Sequence, residues 1–278
     1  MPTRLPPMPR PKRDRRALVA AVTMTMLGAP LLAQQTDAEL AQKLANPVAA
    51  LISLPFQANF ERGFGIGEDG TRYTVNVQPV IPAKLTDNWN VISRTILPVI
   101  SQSDFFPGAG RQTGVGDIVQ SVFFSPAKPT ASGWIWGAGP VFLLPTASDR
   151  LLGGGKFGIG PTAVALRQQG PWNYGALVNH IVSVAGQSAR GDVNATFLQP
   201  FVSYVTKTAW TYTAQLESTR DWENSVGSTA ASAIVSKLVA FGTQRASIGG
   251  GLRYFVESPT GGASGLAVRA SFALLFPR

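Results

Sequence analysis

Cysteine is absent from this 278-residue chain, and only 14% of its residues are charged. The missing thiols exclude disulfides and thiolate metal sites, and their absence suits an oxidising compartment. No run of clustered Lys and Arg follows residue 33, so the basic stripe typical of nucleic-acid-binding proteins is missing. We therefore expect no cofactor, no metal and no nucleic-acid partner.

The first 33 residues have the three parts of an export signal. Residues 1–16 carry six basic residues against Asp14, residues 17–32 are apolar, and Ala33 is a small residue at the expected cut. The alternative is an uncleaved membrane anchor, which is weaker because the apolar stretch is short and is interrupted by Gly28 and Pro30. We expect residues 1–33 to be a cleaved signal peptide. Its removal lowers the formal net charge from +9 to +4.

Residues 34–53 form the only segment with a helical pattern. Thr36 or Asp37 can cap a helix start, Leu40 and Leu44 recur at helical spacing, and Asn46-Pro47 can end the helix, with a second turn at 48–51. The segment is too polar to span a bilayer. We expect it to plug a barrel mouth or to make a periplasmic contact.

From residue 54 the pattern changes from helical to a period of two, clear in some segments and weaker in others, and we assign residues 54–278 to one barrel domain. Trp210, Tyr212 and Leu216, for example, alternate with Thr213 and Glu217. Twelve such runs are long enough to cross a membrane as tilted strands, which takes about 9–11 residues. They are 54–64, 71–81, 88–100, 115–125, 133–145, 157–168, 172–185, 194–206, 209–219, 228–240, 245–257 and 265–276. Because an open sheet edge is costly in lipid, we predict an all-β fold, a closed antiparallel transmembrane β-barrel of about 12 strands.

Connections and tryptophans support the same prediction. The odd-numbered connections are mostly longer than the even-numbered ones, as in outer-membrane barrels. They are 65–70, 101–114, 146–156, 186–193, 220–227 and 258–264.

Five of the six tryptophans open strands three, five, seven and nine: Trp89, Trp134, Trp136, Trp172 and Trp210. We predict that they form an aromatic girdle at the periplasmic interface. The alternative is a β-sandwich core, for which one shared level is less expected.

The last strand carries Phe272, Leu274 and Phe276 on one face. This resembles the terminal pattern by which the outer-membrane assembly machinery recognises barrels, although Pro277 and Arg278 extend beyond the last aromatic residue. We expect that machinery and outer-membrane lipid to be partners of the chain.

Short motifs run along nearly the whole mature chain, from about Ala38 to Phe276. They include Asn46-Pro47-Val48-Ala49, Leu51-Ile52-Ser53-Leu54-Pro55-Phe56-Gln57, Val77-Gln78-Pro79-Val80-Ile81-Pro82, Ile92-Ser93-Arg94-Thr95-Ile96-Leu97-Pro98-Val99, Gly137-Ala138-Gly139-Pro140-Val141, Gly160-Pro161-Thr162-Ala163-Val164-Ala165-Leu166, Phe197-Leu198-Gln199-Pro200-Phe201, Ser236-Lys237-Leu238-Val239 and Arg253-Tyr254-Phe255-Val256-Glu257-Ser258-Pro259. Together they resemble a family of uncharacterised exported bacterial proteins, labelled as transporters or, by what looks like a labelling accident, as "neuromedin U". The resemblance implies an outer-membrane barrel akin to the phenol-degradation-pathway and fatty-acid-channel barrels. It supplies no catalytic residues.

Two motifs resemble catalytic or phosphate-binding motifs, but neither has the full set of residues that such a site requires. His180 invites comparison with an outer-membrane phospholipase, but Val182 stands where that family's serine would be, and Ser183 falls on the opposite face. The glycines at 153–155 lack the spacing and the hydroxyl residue of a phosphate loop. We therefore expect that the chain is not an enzyme.

Alternation also places a set of charged residues on the inward face. On the lipid face, an Arg or Lys at the membrane midplane would cost about 2–4 kcal/mol. The set consists of Glu61, Arg72, Arg94, Asp117, Glu217, Arg253, Glu257 and Arg269. Two interpretations stay open: a paired ladder that braces a narrow barrel, or a constriction that orients a solute.

The function expected from these features is a passive outer-membrane channel. Bulky apolar residues alternate inward as well, which favours a small hydrophobic or aromatic solute. The alternative function is a structural or adhesive barrel that binds a partner through loops 101–114 and 146–156. The oligomeric state stays open.

Overall fold

The structure, a computed structural model, describes residues 36–277, and the expected signal peptide at 1–33 lies outside them. One short helix precedes a long series of strands. The elements are α1 (Asp37–Leu44), β1 (Ile52–Phe64), β2 (Gly70–Val77), β3 (Val80–Lys84), β4 (Trp89–Ser103), β5 (Arg111–Val115), β6 (Ile118–Pro126), β7 (Trp134–Leu144), β8 (Lys156–Gln169), β9 (Trp172–Gly186), β10 (Asn194–Val205), β11 (Trp210–Asp221), β12 (Val226–Phe241), β13 (Gln244–Glu257) and β14 (Gly265–Phe276).

The strands form one sheet that closes on itself. β1 and β14 pair antiparallel, from Ile52 opposite Phe276 to Phe60 opposite Val268, so the first and last strands leave no open edge between them. The fold class predicted from the sequence is therefore confirmed: the molecule is a closed twelve-stranded antiparallel barrel with a short helix.

Two of the twelve strands are interrupted, which is why fourteen segments appear in residues 36–277. β2 and β3 run in line along β4, and β5 and β6 do the same. The first break falls at Gln78-Pro79, where proline has no N–H to donate to the ladder. The N–H of Gln78 still bonds the carbonyl oxygen of Pro55 at 2.8 Å, so the break costs little pairing.

The two ends of the barrel differ. The terminal rim holds the start of β1, the end of β14 and the connections 85–88, 127–133, 170–171, 206–209 and 242–243. The loop rim, at the opposite end, holds the connections 65–69, 104–110, 145–155, 187–193, 222–225 and 258–264. The predicted loop at 101–114 is too long, because Ser101 to Ser103 of β4 pair with Arg111 to Thr113 of β5.

Alternation of side chains sorts the wall into two faces. On β11, Trp210, Tyr212 and Leu216 are exposed on the outside, while Gln215 and Glu217 point to the interior. The outer face is the apolar one, as expected for a wall that faces lipid.

The five tryptophans of the predicted girdle all lie on the outer face close to the terminal rim. Their exposed fractions run from 37% to 49%. Trp89 meets Trp136 edge-on with ring centroids 5.8 Å apart, and Trp172 meets Tyr204 at 4.9 Å. The rings thus follow one another around the barrel. Their placement at a membrane interface stays a prediction.

The helix α1 is fixed by its own cap and by the barrel interior. Thr36 accepts a hydrogen bond from the N–H of Glu39 at 3.2 Å, and the Glu39 carboxylate accepts one from the N–H of Thr36 at 2.9 Å. The buried Leu40 packs with inward residues of the terminal rim, among them Leu238 and Leu275. The helix ends at Leu44, and the second turn expected at 48–51 is not helical. Within residues 36–277 no helix is long and apolar enough to cross a bilayer.

Candidate functional site in the barrel lumen

The barrel encloses a cavity of about 780 Å³ whose two sides differ in chemistry. One arc of the wall, from β11 through β14 to β1, β2 and β4, is mostly polar. It contributes Gln57, Asn59, Glu61, Arg72, Thr74, Asn76, Gln78, Arg94, Thr213, Gln215, Glu217, Arg253 and Arg269. The facing arc, β6 to β10 with the connection before β10, contributes mainly apolar side chains: Val119, Leu143, Leu177, Ile181, Val193, Ala195 and Phe197. The lumen is therefore amphipathic across its width.

Four of the predicted charges form one cluster. Arg269 donates to Glu217 at 2.8 and 3.2 Å and to the Asn59 side chain at 2.7 Å. Arg253 pairs with Glu217 at 3.0 Å and with Glu61. The side chains are largely buried, with 2% exposure at Arg269 and 15% at Glu217. These four charges correspond to the paired ladder considered from the sequence.

Arg72 is held differently, near the loop rim. Its Nε and one terminal nitrogen donate to the Gln102 side chain at 3.0 and 2.8 Å. Its guanidinium carbon lies 4.7 Å from the ring centroid of Phe64 and 4.4 Å from that of Phe105. Two aromatic faces stabilise the cation without neutralising it.

Arg94 lies closer to the terminal rim and also lacks an acid partner. It donates to the Gln78 side chain at 3.1 Å, and Gln78 in turn contacts Gln57 at 2.8 Å. In residues 36–277, no carboxylate oxygen lies within 4.0 Å of a nitrogen of Arg72 or Arg94. Four arginines and two glutamates line the cavity, so its wall carries an excess of two positive charges.

Two predicted lumen residues lie elsewhere. Asp117 falls in the break between β5 and β6, where its carboxylate accepts hydrogen bonds from the N–H groups of Ala147 at 3.0 Å and Gly154 at 2.6 Å. Glu257 lies exposed at the loop rim and accepts a bond from Thr229 at 3.0 Å. The prediction is wrong for both because a strand break and a register shift beside Ala230 interrupt the alternation on which it relied.

The chain after α1 enters the terminal end of the lumen. Val48 is 5% exposed and packs with Ile92, Phe123 and Leu177 of the wall. Gln42 of the helix donates to the carbonyl oxygen of Gly170 at 2.8 Å, and Arg245 binds Asp37 at 2.8 Å. The segment from residue 37 to residue 51 thus occupies the mouth of the barrel at the terminal rim.

Two narrower spaces flank this segment. One, of about 150 Å³, lies between residues 43–51 and the wall formed by β1, β3 and β4. The other, of about 200 Å³, lies between Ala45 and Pro47 and the wall formed by β9 to β11. Arg94 borders both spaces and also the large cavity.

Sequence reasoning did not single out the amides of the lumen. Gln57, Asn59, Asn76 and Gln78 bind or flank the arginines, and they recur at every second position of β1 and of the strand that follows it. Polar amides on the inward face of a membrane strand are the signal that could have identified them.

His180 lies on the outer face of β9. Its Nδ1 is 2.9 Å from the hydroxyl oxygen of Thr196 on β10, and that oxygen also accepts a bond from Trp222 Nε1 at 2.8 Å. Ser183 instead contacts Asp192, at 3.2 Å. The histidine therefore has a threonine partner, which the sequence spacing did not reveal.

No family model and no curated protein sequence matches this chain. Solved structures do resemble it. An outer membrane channel from Pseudomonas putida F1 superposes with a TM-score of 0.64 at 14% identity, covering 82% of this chain and 96% of that one. The NanC porin superposes with a TM-score of 0.50 at 10% identity, covering 81% and 100%. At such identities the likeness shows that the chain has the fold of outer-membrane barrels.

Outer membrane phospholipase A from Escherichia coli is also similar, with a TM-score of 0.45 at 10% identity over 88% of this chain and 99% of that one. The expectation that the chain is not an enzyme is corrected here: the barrel fold by itself shows neither the presence nor the absence of catalytic activity. The likeness assigns no activity to the chain.

Proposed function

We propose that the protein is an outer-membrane channel that lets a small solute pass through its lumen to the periplasm. The observation that carries this proposal is the internal cavity of about 780 Å³, bounded at the terminal rim by residues 37–51. A barrel built only to anchor loops can fill its interior with side chains, whereas this one leaves an open volume beside its charged cluster. The resemblance to the family of exported transporter-like barrels agrees with this function.

The proposal includes the route to the membrane. The leader at 1–33 directs export, the assembly machinery recognises the strand that ends at Phe276, and the tryptophans of the terminal rim lie at the periplasmic interface. The loop rim then faces the outside. Glu61, Arg72, Arg94, Glu217, Arg253 and Arg269 line the solute path.

Residues 37–51 act as a plug in this scheme. The plug is held by the partly exposed Arg245–Asp37 pair and by the buried side chains of Leu40, Val48 and Leu51. A partly exposed ion pair contributes about 0.2–1 kcal/mol, whereas burial of an apolar side chain contributes about 1.5–3 kcal/mol. We therefore expect the plug to occupy the mouth most of the time and to limit conductance until it is displaced.

Reconstitution of the purified full-length protein in planar bilayers and in liposomes tests the function. We expect single-channel conductance and solute-dependent swelling, and a larger conductance for a variant that lacks residues 37–51. If both proteins insert and neither conducts nor causes swelling, the channel function is wrong. Binding of a partner through the loops at 104–110 and 145–155 would then become the better explanation.

A further inference from the structure

We propose that Arg94 is a binding site for the carboxylate of an amphipathic organic anion, at the inner end of the lumen. This inference rests on the proposed channel function and narrows its substrate class.

The position of Arg94 favours a role in solute passage. Arg94 is shared by the large cavity and by both narrow spaces beside the plug. A solute that moves from the cavity toward the terminal rim on either side of residues 45–49 therefore passes its guanidinium. A single side chain at a branch point of this kind contacts every solute that takes the path.

The hydrogen-bond donors of Arg94 that are free within the described part of the chain favour an anionic ligand. Glu61 and Glu217 are bound by Arg253 and Arg269, whereas Arg94 has only the neutral side chain of Gln78 within hydrogen-bond distance in residues 36–277. A guanidinium presents five N–H donors in a planar fork that matches a carboxylate. Only one hydrogen bond from this guanidinium to residues 36–277 is formed, and an incoming carboxylate supplies acceptors for the remaining donors.

The chemistry of the facing wall indicates what the remainder of the ligand, beyond its carboxylate, should be. The apolar arc, with Leu177 and Phe197 among its residues, faces the arc that carries Arg94. Leu177 also borders the narrow space that Arg94 shares on the β9 to β11 side. A solute with a carboxylate at one end and an aromatic or alkyl body at the other fits both walls at once. A sugar would leave the apolar arc bare, and a plain hydrocarbon would leave the arginine unpaired.

Arg72 offers a first contact for the same anion. It is opposite Gln102 on β4, which lies eight residues beyond Arg94, a separation of roughly 26 Å along the strand. In residues 36–277 neither cation has a carboxylate oxygen within 4.0 Å, although Glu61 is opposite Arg72 on the neighbouring strand, and the two cations stand at the two ends of the charged arc. Binding at two separate, weak positions allows a solute to enter and also to leave.

Hippurate, an aryl carboxylate, and its neutral amide, which differ only in the charged group, are the probes. Liposomes with full-length protein should swell faster in hippurate than in its amide, and bi-ionic reversal potentials between potassium hippurate and potassium gluconate should show preference for hippurate.

In Arg94→Gln the swelling rate in hippurate should fall about tenfold, the loss expected for a charge-assisted hydrogen bond, and the swelling rate in the amide should be unchanged. Arg94→Lys should retain part of the swelling rate in hippurate that Arg94→Gln loses. Lys84→Gln, which removes the same charge from the exposed terminal rim, should behave as the unmodified protein.

Outcomes separate this inference from the channel function. If the protein conducts but passes hippurate and its amide equally, or if Arg94→Gln slows both alike, the carboxylate site is wrong and the channel stands. If a potassium gradient gives cation-selective currents, the site is also wrong. Absence of any conductance rejects the channel itself.

Discussion

Arg269 of β14 and Glu217 of β11 meet across two intervening strands, with N–O distances of 2.8 and 3.2 Å. Arg253 on β13 binds the same carboxylate at 3.0 Å. A single glutamate therefore bridges two arginines that are 11% and 2% exposed, and Glu61, bound to Arg253, supplies the second negative charge of the cluster. The contacts join strands that the backbone ladder alone would hold only through their neighbours.

Glu217→Gln should consequently lower the free energy of unfolding by about 3 kcal/mol, because it leaves the buried Arg269 without an acid partner and Arg253 with Glu61 alone. Urea titration of the barrel in detergent, followed by tryptophan fluorescence, measures the change. Glu223→Gln, in the exposed connection 222–225, removes a carboxylate without touching the cluster and serves as control. Equal midpoints for the two variants would contradict the assigned role of Glu217.

The plug can be tested by a reversible tether. A Cβ placed on Gly137 would lie 3.1 Å from Cγ1 of Val48, close to the separation of about 3 Å between Cβ and the partner sulfur across a disulfide. The double variant Val48→Cys, Gly137→Cys should therefore cross-link residue 48 to the wall. We expect low conductance in the oxidised form and recovery on reduction, measured on the same bilayer.

The native chain has no cysteine, so the unmodified protein and the two single variants are clean controls for the reductant. A cross-link verified by mass spectrometry with no effect on conductance would mean that this segment does not gate the lumen.

Close approach of β8 and β9 depends on a glycine. A Cβ on Gly160 would lie 1.7 Å from the carbonyl oxygen of His180, a distance at which the backbone must move. Gly160→Ala should lower the free energy of unfolding by about 1–3 kcal/mol, the usual cost of overpacking. Gly250→Ala is the matched control, since its added Cβ meets its nearest neighbour at 3.5 Å. Thermal unfolding of both variants in detergent decides the point: the prediction fails if the Gly160 variant is as stable as the control.

The loop at 187–193 should respond to acid. Hydrogen bonds from Lys156 and then Ser183 lower the pKa of the Asp192 carboxyl below its usual range, and the Lys156–Asp192 contact at 2.8 Å ties this loop to the start of β8. Because the folded pKa is depressed, this stabilisation is complete above the ordinary Asp pKa of about 3.9. It is lost as the pH falls through the lowered value.

A nitroxide label on Ser188→Cys, an exposed position in the loop, reports the change as a narrowing of its spectrum in acid. Asp192→Asn in the same labelled background should show the mobile spectrum at neutral pH. A rigid spectrum for that variant would refute the tether.

Alternation of side chains in the sequence is sufficient to predict much of the fold. It separated Trp210, Tyr212 and Leu216 from Gln215 and Glu217, and it gave the twelve strands, because lipid outside and water inside impose a period of two on every strand. The same rule placed Arg72, Arg94, Arg253 and Arg269 inward. It failed at Asp117 and Glu257, since a strand break and a register shift are set by hydrogen bonds to other segments and leave no periodic trace.

Which inward charges pair was decided only by the tertiary structure. The sequence gives the face on which Glu217 lies, but its height relative to Arg253 and Arg269 depends on the registers of β11 to β14, and its distance from Glu61 depends on closure of β14 onto β1. The same closure leaves Arg94 beside amides instead of a carboxylate and brings Val48 into the mouth of the lumen. The face on which a residue lies is a local property of its strand. Its contacts across the lumen depend on the registers and the closure of the whole barrel.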